Sequence, residues 1–204
     1  MFSETIDLLA ERWRAAGSLW PGFGMLAEGK PLPIHALAAE TGVEVDRLRE
    51  LLVAVRSQFD EEGRLVDLFG MTLEQTPHRL EIGSKVVFSC CALWAHVIPK
   101  LINRSIVVHS TDPVSKELVR LSISPVRVQS LEPVDAAATM AVASARDIAT
   151  DVCAAFCCQV KHFVSRENAE LFASESSRRR VVTVGELHEL GADFYLAIRS
   201  ELHQ

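Results

Sequence analysis

No stretch of this 204-residue sequence approaches the roughly 20 consecutive apolar residues that a helix needs to cross a bilayer, so no membrane span is expected. The opening run MFSETIDLLAERWRAAG scatters acidic and basic residues through its apolar positions. It therefore lacks the basic head, apolar middle and small-residue cleavage site of a secretory leader, and a cytoplasmic location is expected. An excess of positive charge is also missing: the formal net charge is −6 and the isoelectric point about 5.7, which argues against a chain that grips phosphate backbones. There is no HExxH pair, no glycine-rich phosphate loop, no CxxC pair of the structural zinc type, no internal repeat and no low-complexity tract. Cysteine is scarce and odd in number, five in all, which suits reduced thiols better than a disulfide framework.

Apolar residues make up 49% of the sequence and charged ones 24%, enough for a proper hydrophobic core. Ile6, Leu9 and Trp13 recur at helical spacing and predict a helix over 4–15. WPGFG reads as a linker, after which residues 31–55 read as two helices hinged at Gly42. Gly63 and the alternation from Arg64 to Leu68 suggest a hairpin. Helices plus hairpin make a winged-helix-like unit, although its second helix carries Glu44, Asp46 and Glu50 among its arginines and offers no basic stripe. Residues 104–125 predict a second hairpin with Val119, Leu121 and Ile123 on one face. The Ala-rich stretch 136–156 reads as mainly helical, FCCQVKHFVS as ending in a strand, 166–175 as helix, and Leu187, Leu190, Phe194 and Ile198 as the buried face of a closing helix. The fold class is α+β, with a winged-helix-like helical part over 1–79 and a β-rich part with flanking helices over 80–204. Trp13 and Trp20 read as packing residues, and Arg178, Arg179 and Arg180 as a solvated basic edge.

The cysteines fall into two groups, Cys90 with Cys91 and Cys153 with Cys157 and Cys158. Thiolates select soft metals such as Hg, Cu(I) and Zn, whereas a free cysteine is often only a small buried hydrophobe. From composition alone, Cys90 and Cys153 read as the latter. The stretch CALWAHVIPKLI from Cys91, LSISP followed by SLEP, and FCCQVKHFVS from Phe156 together resemble the alkylmercury lyases, and the resemblance covers nearly the whole chain. It implies an enzyme in which one thiolate attacks mercury, a second completes a dithiolate grip, and a carboxyl group protonates the departing carbon. By position, Cys91 matches the first family cysteine and Cys157 the second, so both are the implied catalytic and metal-binding residues. Cys158 matches a neighbour expected at the pocket. No obligatory cofactor is implied; a soft ion such as Hg enters as substrate or product, with organometal compounds and small thiols as partners.

Trp94 departs from the family pattern. An aspartate is expected there, three positions after the first cysteine and on the same helical face. Indole is no proton donor of useful acidity, and its bulk fills the space of an acid or an organic group. Substitutes for the acid are His96, Lys161, His162 and Asp112, and the sequence assigns the role to none of them. In a strand, Lys161 would share the face of Cys157, while Cys157 and Cys158 would diverge. Three readings stay open: a lyase-like protein whose carbon–mercury cleavage is altered or lost, a repurposed cysteine-dependent enzyme acting on a small organic molecule, and a non-enzymatic metal-responsive, DNA-associated module.

Overall fold

The structure, a computed structural model, describes residues 2–14 and 17–199. Helix α1, Ser3–Arg14, buries Ile6, Leu9, Ala10 and Trp13 along one stripe; position 15, expected to end it, lies outside the described residues. After a 3₁₀ turn at Gly17–Leu19 comes α2, Pro21–Leu26. The expected WPGFG linker is thus mostly helical: Pro21 sits in the first turn, where its missing N–H leaves no bond unmade, and Phe23 and Leu26 are buried. Helices α3, Ile34–Thr41, and α4, Val45–Ala54, are hinged at Gly42, whose φ of 69° is the left-handed geometry that ends a helix most easily with glycine.

The hairpin expected after Gly63 forms as isolated bridges of Leu65 with Leu32 and Phe59. The chain then pairs β1, Asp67–Leu68, with β2, Met71–Thr72, and this hairpin joins the main sheet rather than standing as a separate wing. That sheet adds β3, His78–Ile82, β4, Lys85–Ser89, β5, Ile106–Thr111, β6, Leu118–Ile123, and β7, Val128–Glu132, in the order β1-β2-β4-β3-β5-β6-β7 with antiparallel pairing throughout. The division expected after residue 79 falls inside β3. The β5–β6 hairpin appears as anticipated, with Val119, Leu121 and Ile123 buried.

Two other expectations are corrected. Within the Ala-rich stretch, Ala137–Ala141 is strand β8, buried at all five positions and central in a second sheet between β9, His162–Phe163, and β10, Arg179–Thr183. Helix propensity amounts to less than about 1 kcal/mol per residue, and small side chains let both faces of a strand be covered, so tertiary packing wins. Only Ala145–Ala155, α6, is helical, and it is kinked at Asp151 with φ −156° and ψ 94°. Second, the strand expected at the end of FCCQVKHFVS forms as β9, but Cys157–Gln159 before it is a 3₁₀ turn, so Cys157 does not lie in that strand. The alternation that would have put Lys161 on the face of Cys157 therefore does not apply.

Helix α5, Ala92–Ile102, lies against α8, Val184–Arg199, and α8 against α1, so the first helix packs on the last. Close approach is needed at Gly191, where an added Cβ would lie 3.1 Å from the His96 Cβ. α7, Arg166–Ser174, covers the second sheet. There Arg179 is not the solvated edge expected: its guanidinium lies 3.6 Å over the Phe172 ring and donates to Gln159. The main apolar cluster runs from Ile6 to Ile198, and a small second one joins Ala137, Phe163 and Ala169. No helix among the described residues is long and apolar enough to cross a membrane.

Candidate functional site

Strand β4 ends at Ser89 and α5 begins at Ala92, so Cys90 and Cys91 form the joint between a strand and a helix. The Cys90 N–H donates to Gly70 O at 2.9 Å, which pins the joint to the β1–β2 turn, and the Ser89 hydroxyl donates to Cys91 O at 3.1 Å. Cys91 is the extended residue that precedes the helix, with φ −153° and ψ 168°. The next amide, Ala92 N–H, donates to Val160 O at 3.1 Å. Residues 157–161 are in turn stitched to β8, because the Thr139 hydroxyl donates to Gln159 O at 2.7 Å and the Thr139 N–H to Lys161 O at 3.0 Å. These backbone bonds are what bring distant cysteines together.

The sulfurs of Cys90, Cys91 and Cys157 all lie within 4.8 Å of one another, and the Cys90 thiol donates to the Cys157 sulfur at 3.6 Å. Cys91 is fully buried, Cys157 is 9% exposed and Cys90 is half-buried. The expected pair, Cys91 and Cys157, is therefore joined by a third sulfur that had been assigned to packing. Cys158 points elsewhere: it is exposed, and its sulfur lies 3.7 Å from that of Cys153.

Electrostatics distinguish the three inner thiols. Burial opposes ionisation of Cys91, but hydrogen bonding from the Cys157 and Cys90 thiols, the Trp94 backbone amide and the Lys161 charge outweigh it, so its pKa falls well below the ordinary thiol value. The Trp94 amide acts here from the open helix end without forming a full capping hydrogen bond. Cys90 is pushed well above the ordinary value, first by its hydrogen bond to Cys157 and then by Cys91 and burial. For Cys157 the Cys90 hydrogen bond favours the thiolate, but Cys91 and burial together prevail and raise it. Cys91 is thus the most readily ionised thiol of the three, and its two neighbours hold their protons more tightly.

Trp94 is 3% exposed. Its ring stacks on Phe23 at 5.9 Å and meets Phe194 edge-on at 5.5 Å and Trp13 at 6.4 Å. A Cβ at Gly70 would lie 2.6 Å from the indole. Among the residues weighed as substitute acids, Asp112 is buried and fully engaged: one carboxylate oxygen accepts from the Val114 and Ser115 amides, the other from Val164 N–H and Asn168. Burial alone would raise its pKa, yet these four donors lower it, so it is an anion that fastens loops. A carboxyl that does hold its proton near neutrality is Asp67, raised to about 7 by burial and by Glu74, but it stands on β1 outside the sulfur cluster.

His96 and His162 belong to something the sequence did not reveal, because no short-range ligand spacing marks it. A hydrogen-bonded chain runs from Lys100 Nζ to His188 Nε2 (3.2 Å), His188 Nδ1 to His96 Nδ1 (3.2 Å), His96 Nε2 to His162 Nε2 (3.1 Å), His162 Nδ1 to Ser110 Oγ (2.8 Å) and Ser110 Oγ to His78 Nδ1 (2.8 Å). An ammonium can only donate. Tautomers assigned from this network therefore all point one way, leaving the His78 Nε2 proton at the inner end, where that nitrogen is buried without a partner. Burial is the first cause lowering all four histidine pKa values, His162 to about 3, so the imidazoles are neutral at pH 7.

Comparison with known proteins agrees with the expected family. The family model described as alkylmercury lyase matches residues 71–196. An alkylmercury lyase of Staphylococcus epidermidis is 34% identical over 93% of this chain and 88% of its own length, and one of Bacillus cereus is 33% identical over 84% and 77%. A crystal structure of the mercury-bound form of MerB2 superposes with a TM-score of 0.77 over 95% of this chain and 98% of that one; at 13% identity it speaks to the fold alone. With relatives this similar over most of both chains, the protein belongs to the alkylmercury lyase family.

Proposed function

We propose that this protein binds an organomercurial, or the Hg(II) left from one, through Cys91 as attacking thiolate and Cys157 as second ligand, with carbon–mercury protonolysis altered or lost. The observation that carries the reading is the meeting of three sulfurs within 4.8 Å in a chain whose family position for the acid is Trp94. Cys91, the most readily ionised thiol of the group, bonds to mercury first and displaces the thiolate or halide that the organomercurial carries opposite its carbon. Cys157 gives up its proton to water as it becomes the second sulfur on the metal, a loss that coordination favours because the thiolate is the ligand. The carbon must gain a proton as its bond to mercury breaks. An indole ringed by Phe23, Phe194 and Trp13 supplies none, and general-acid assistance is worth about 10²- to 10⁴-fold in rate. Small thiols then serve as exchange partners that carry the metal away.

The test is anaerobic incubation with an organomercurial and excess small thiol, following hydrocarbon release beside the S. epidermidis relative. The expected outcome is release at least ~100-fold slower, with mercury retained on the protein and lost from a Cys91→Ser, Cys157→Ser variant. Release at the relative's rate would refute the proposed loss of acid catalysis.

A further inference from the structure

Outside the three-sulfur cluster, α6 and the 3₁₀ turn after it carry a second pair of thiols. Cys153 and Cys158 are both exposed, and their sulfurs are 3.7 Å apart. The geometry is held by local bonds rather than by packing. At the kink, the Asp151 carboxylate accepts from the Cys153 and Ala154 amides at 3.0 and 3.1 Å, restarting the helix with Cys153 in its first turn. The Gln159 side-chain amide then donates to Ala154 O at 2.8 Å and folds the chain back so that Cys158 faces Cys153. A cation with metal–sulfur bonds of about 2.3 Å in a tetrahedral site holds its sulfurs roughly 3.8 Å apart. A linear two-sulfur site needs about 4.6 Å by the same bond length, wider than the 3.7 Å at which the two sulfurs stand.

We propose that Cys153 and Cys158 form a second, solvent-facing dithiol site for a soft thiophilic cation of the Hg(II) type, which exchanges the cation with the inner cluster. Cys158 is the chain neighbour of Cys157, so the outer and inner sites share one short turn. The transfer is ligand exchange without redox change: an incoming thiolate bonds to the cation and an outgoing one leaves, while each thiol that becomes a ligand releases its proton to water. The exchange part rests on the inner site taking the same cation, whereas the outer site itself does not.

The experiment is native mass spectrometry of the full chain loaded anaerobically with Hg(II) in the presence of a competing monothiol. The unaltered protein is expected to hold two mercury ions, Cys153→Ser, Cys158→Ser one, and Cys91→Ser, Cys157→Ser one; circular dichroism of each variant checks the fold. A Cys153→Ser, Cys158→Ser protein that holds as many ions as the unaltered one overturns the outer site. If the inner double variant holds as many ions as the unaltered protein while the outer double variant loses one, the outer site stands and the proposed inner function fails.

Discussion

Replacing Trp94 by aspartate restores the side chain that the family pattern places there, yet the structure assigns that change a large thermodynamic cost. The indole is 3% exposed and in ring contact with Phe23, Phe194 and Trp13. Removing a buried tryptophan costs about 3–5 kcal/mol. A carboxyl left among three aromatic rings either stays charged without a partner or takes up a proton against its usual pKa, which adds about 1–3 kcal/mol. The sum, about 4–8 kcal/mol, is comparable to the whole stability of a typical domain, about 5–15 kcal/mol. Trp94→Asp is therefore expected to melt at least ~8 °C below the unaltered protein, at about 2–4 °C per kcal/mol for a chain of this size, and to lie mostly unfolded at 37 °C. Trp94→Phe, which keeps an aromatic in the cluster, is expected to lose only about 1–2 kcal/mol. Urea denaturation followed by far-ultraviolet circular dichroism measures both. A Trp94→Asp protein within 1 kcal/mol of the unaltered one would refute the reasoning, because the position would then have to open onto solvated space.

Two further outcomes follow from the same structure. His162 has its pKa lowered from 6.5 to about 3, so below pH 6.5 the unfolded chain takes a proton that the folded one refuses. Stability present above that pH is lost as pH falls toward 3, amounting to about 2 kcal/mol at pH 5 from this residue alone, with His78 and His96 adding in the same direction. A urea midpoint unchanged between pH 7 and pH 5 would contradict a neutral buried imidazole chain. Gly70→Ala meets two costs at once, a φ of 99° and a Cβ placed 2.6 Å from the Trp94 indole, and is expected to destabilise by about 2–5 kcal/mol; calorimetry showing a loss below 1 kcal/mol would mean the ring moves freely.

Much of the scaffold could be read from periodicity. The stripe of Ile6, Leu9 and Trp13, the β5–β6 hairpin and the closing helix through Leu187, Phe194 and Ile198 bury the residues whose spacing marked them, although Leu190 of that helix is only half-buried, and the hinge stands at Gly42 as expected. Where a preference is weak the reading failed: alanine's liking for helix did not withstand the burial of Ala137–Ala141 between two strands, and a short turn around Cys157 carries no period to detect. The sulfur pair at 91 and 157 came from resemblance, since nothing local ties those positions. Cys90 escaped because composition alone does not separate a small buried hydrophobe from a ligand, whereas the strand-to-helix joint lets the neighbouring side chains converge. The imidazole chain draws His78, His96, His162 and His188 from four separate elements, so only the folded chain reveals it.

Mercury-edge X-ray absorption tests the central claim most directly, on the protein with Cys153 and Cys158 both changed to serine and loaded with one equivalent of Hg(II). Convergence of Cys90, Cys91 and Cys157 on one ion predicts a first shell of sulfur alone, two or three atoms at about 2.3–2.5 Å by analogy with other metal–thiolate bonds, which loses sulfur in Cys91→Ser, Cys157→Ser, where Cys90 is the one thiol left in the cluster. A shell containing nitrogen or oxygen in the parent, or one unchanged by Cys91→Ser, Cys157→Ser, would contradict it.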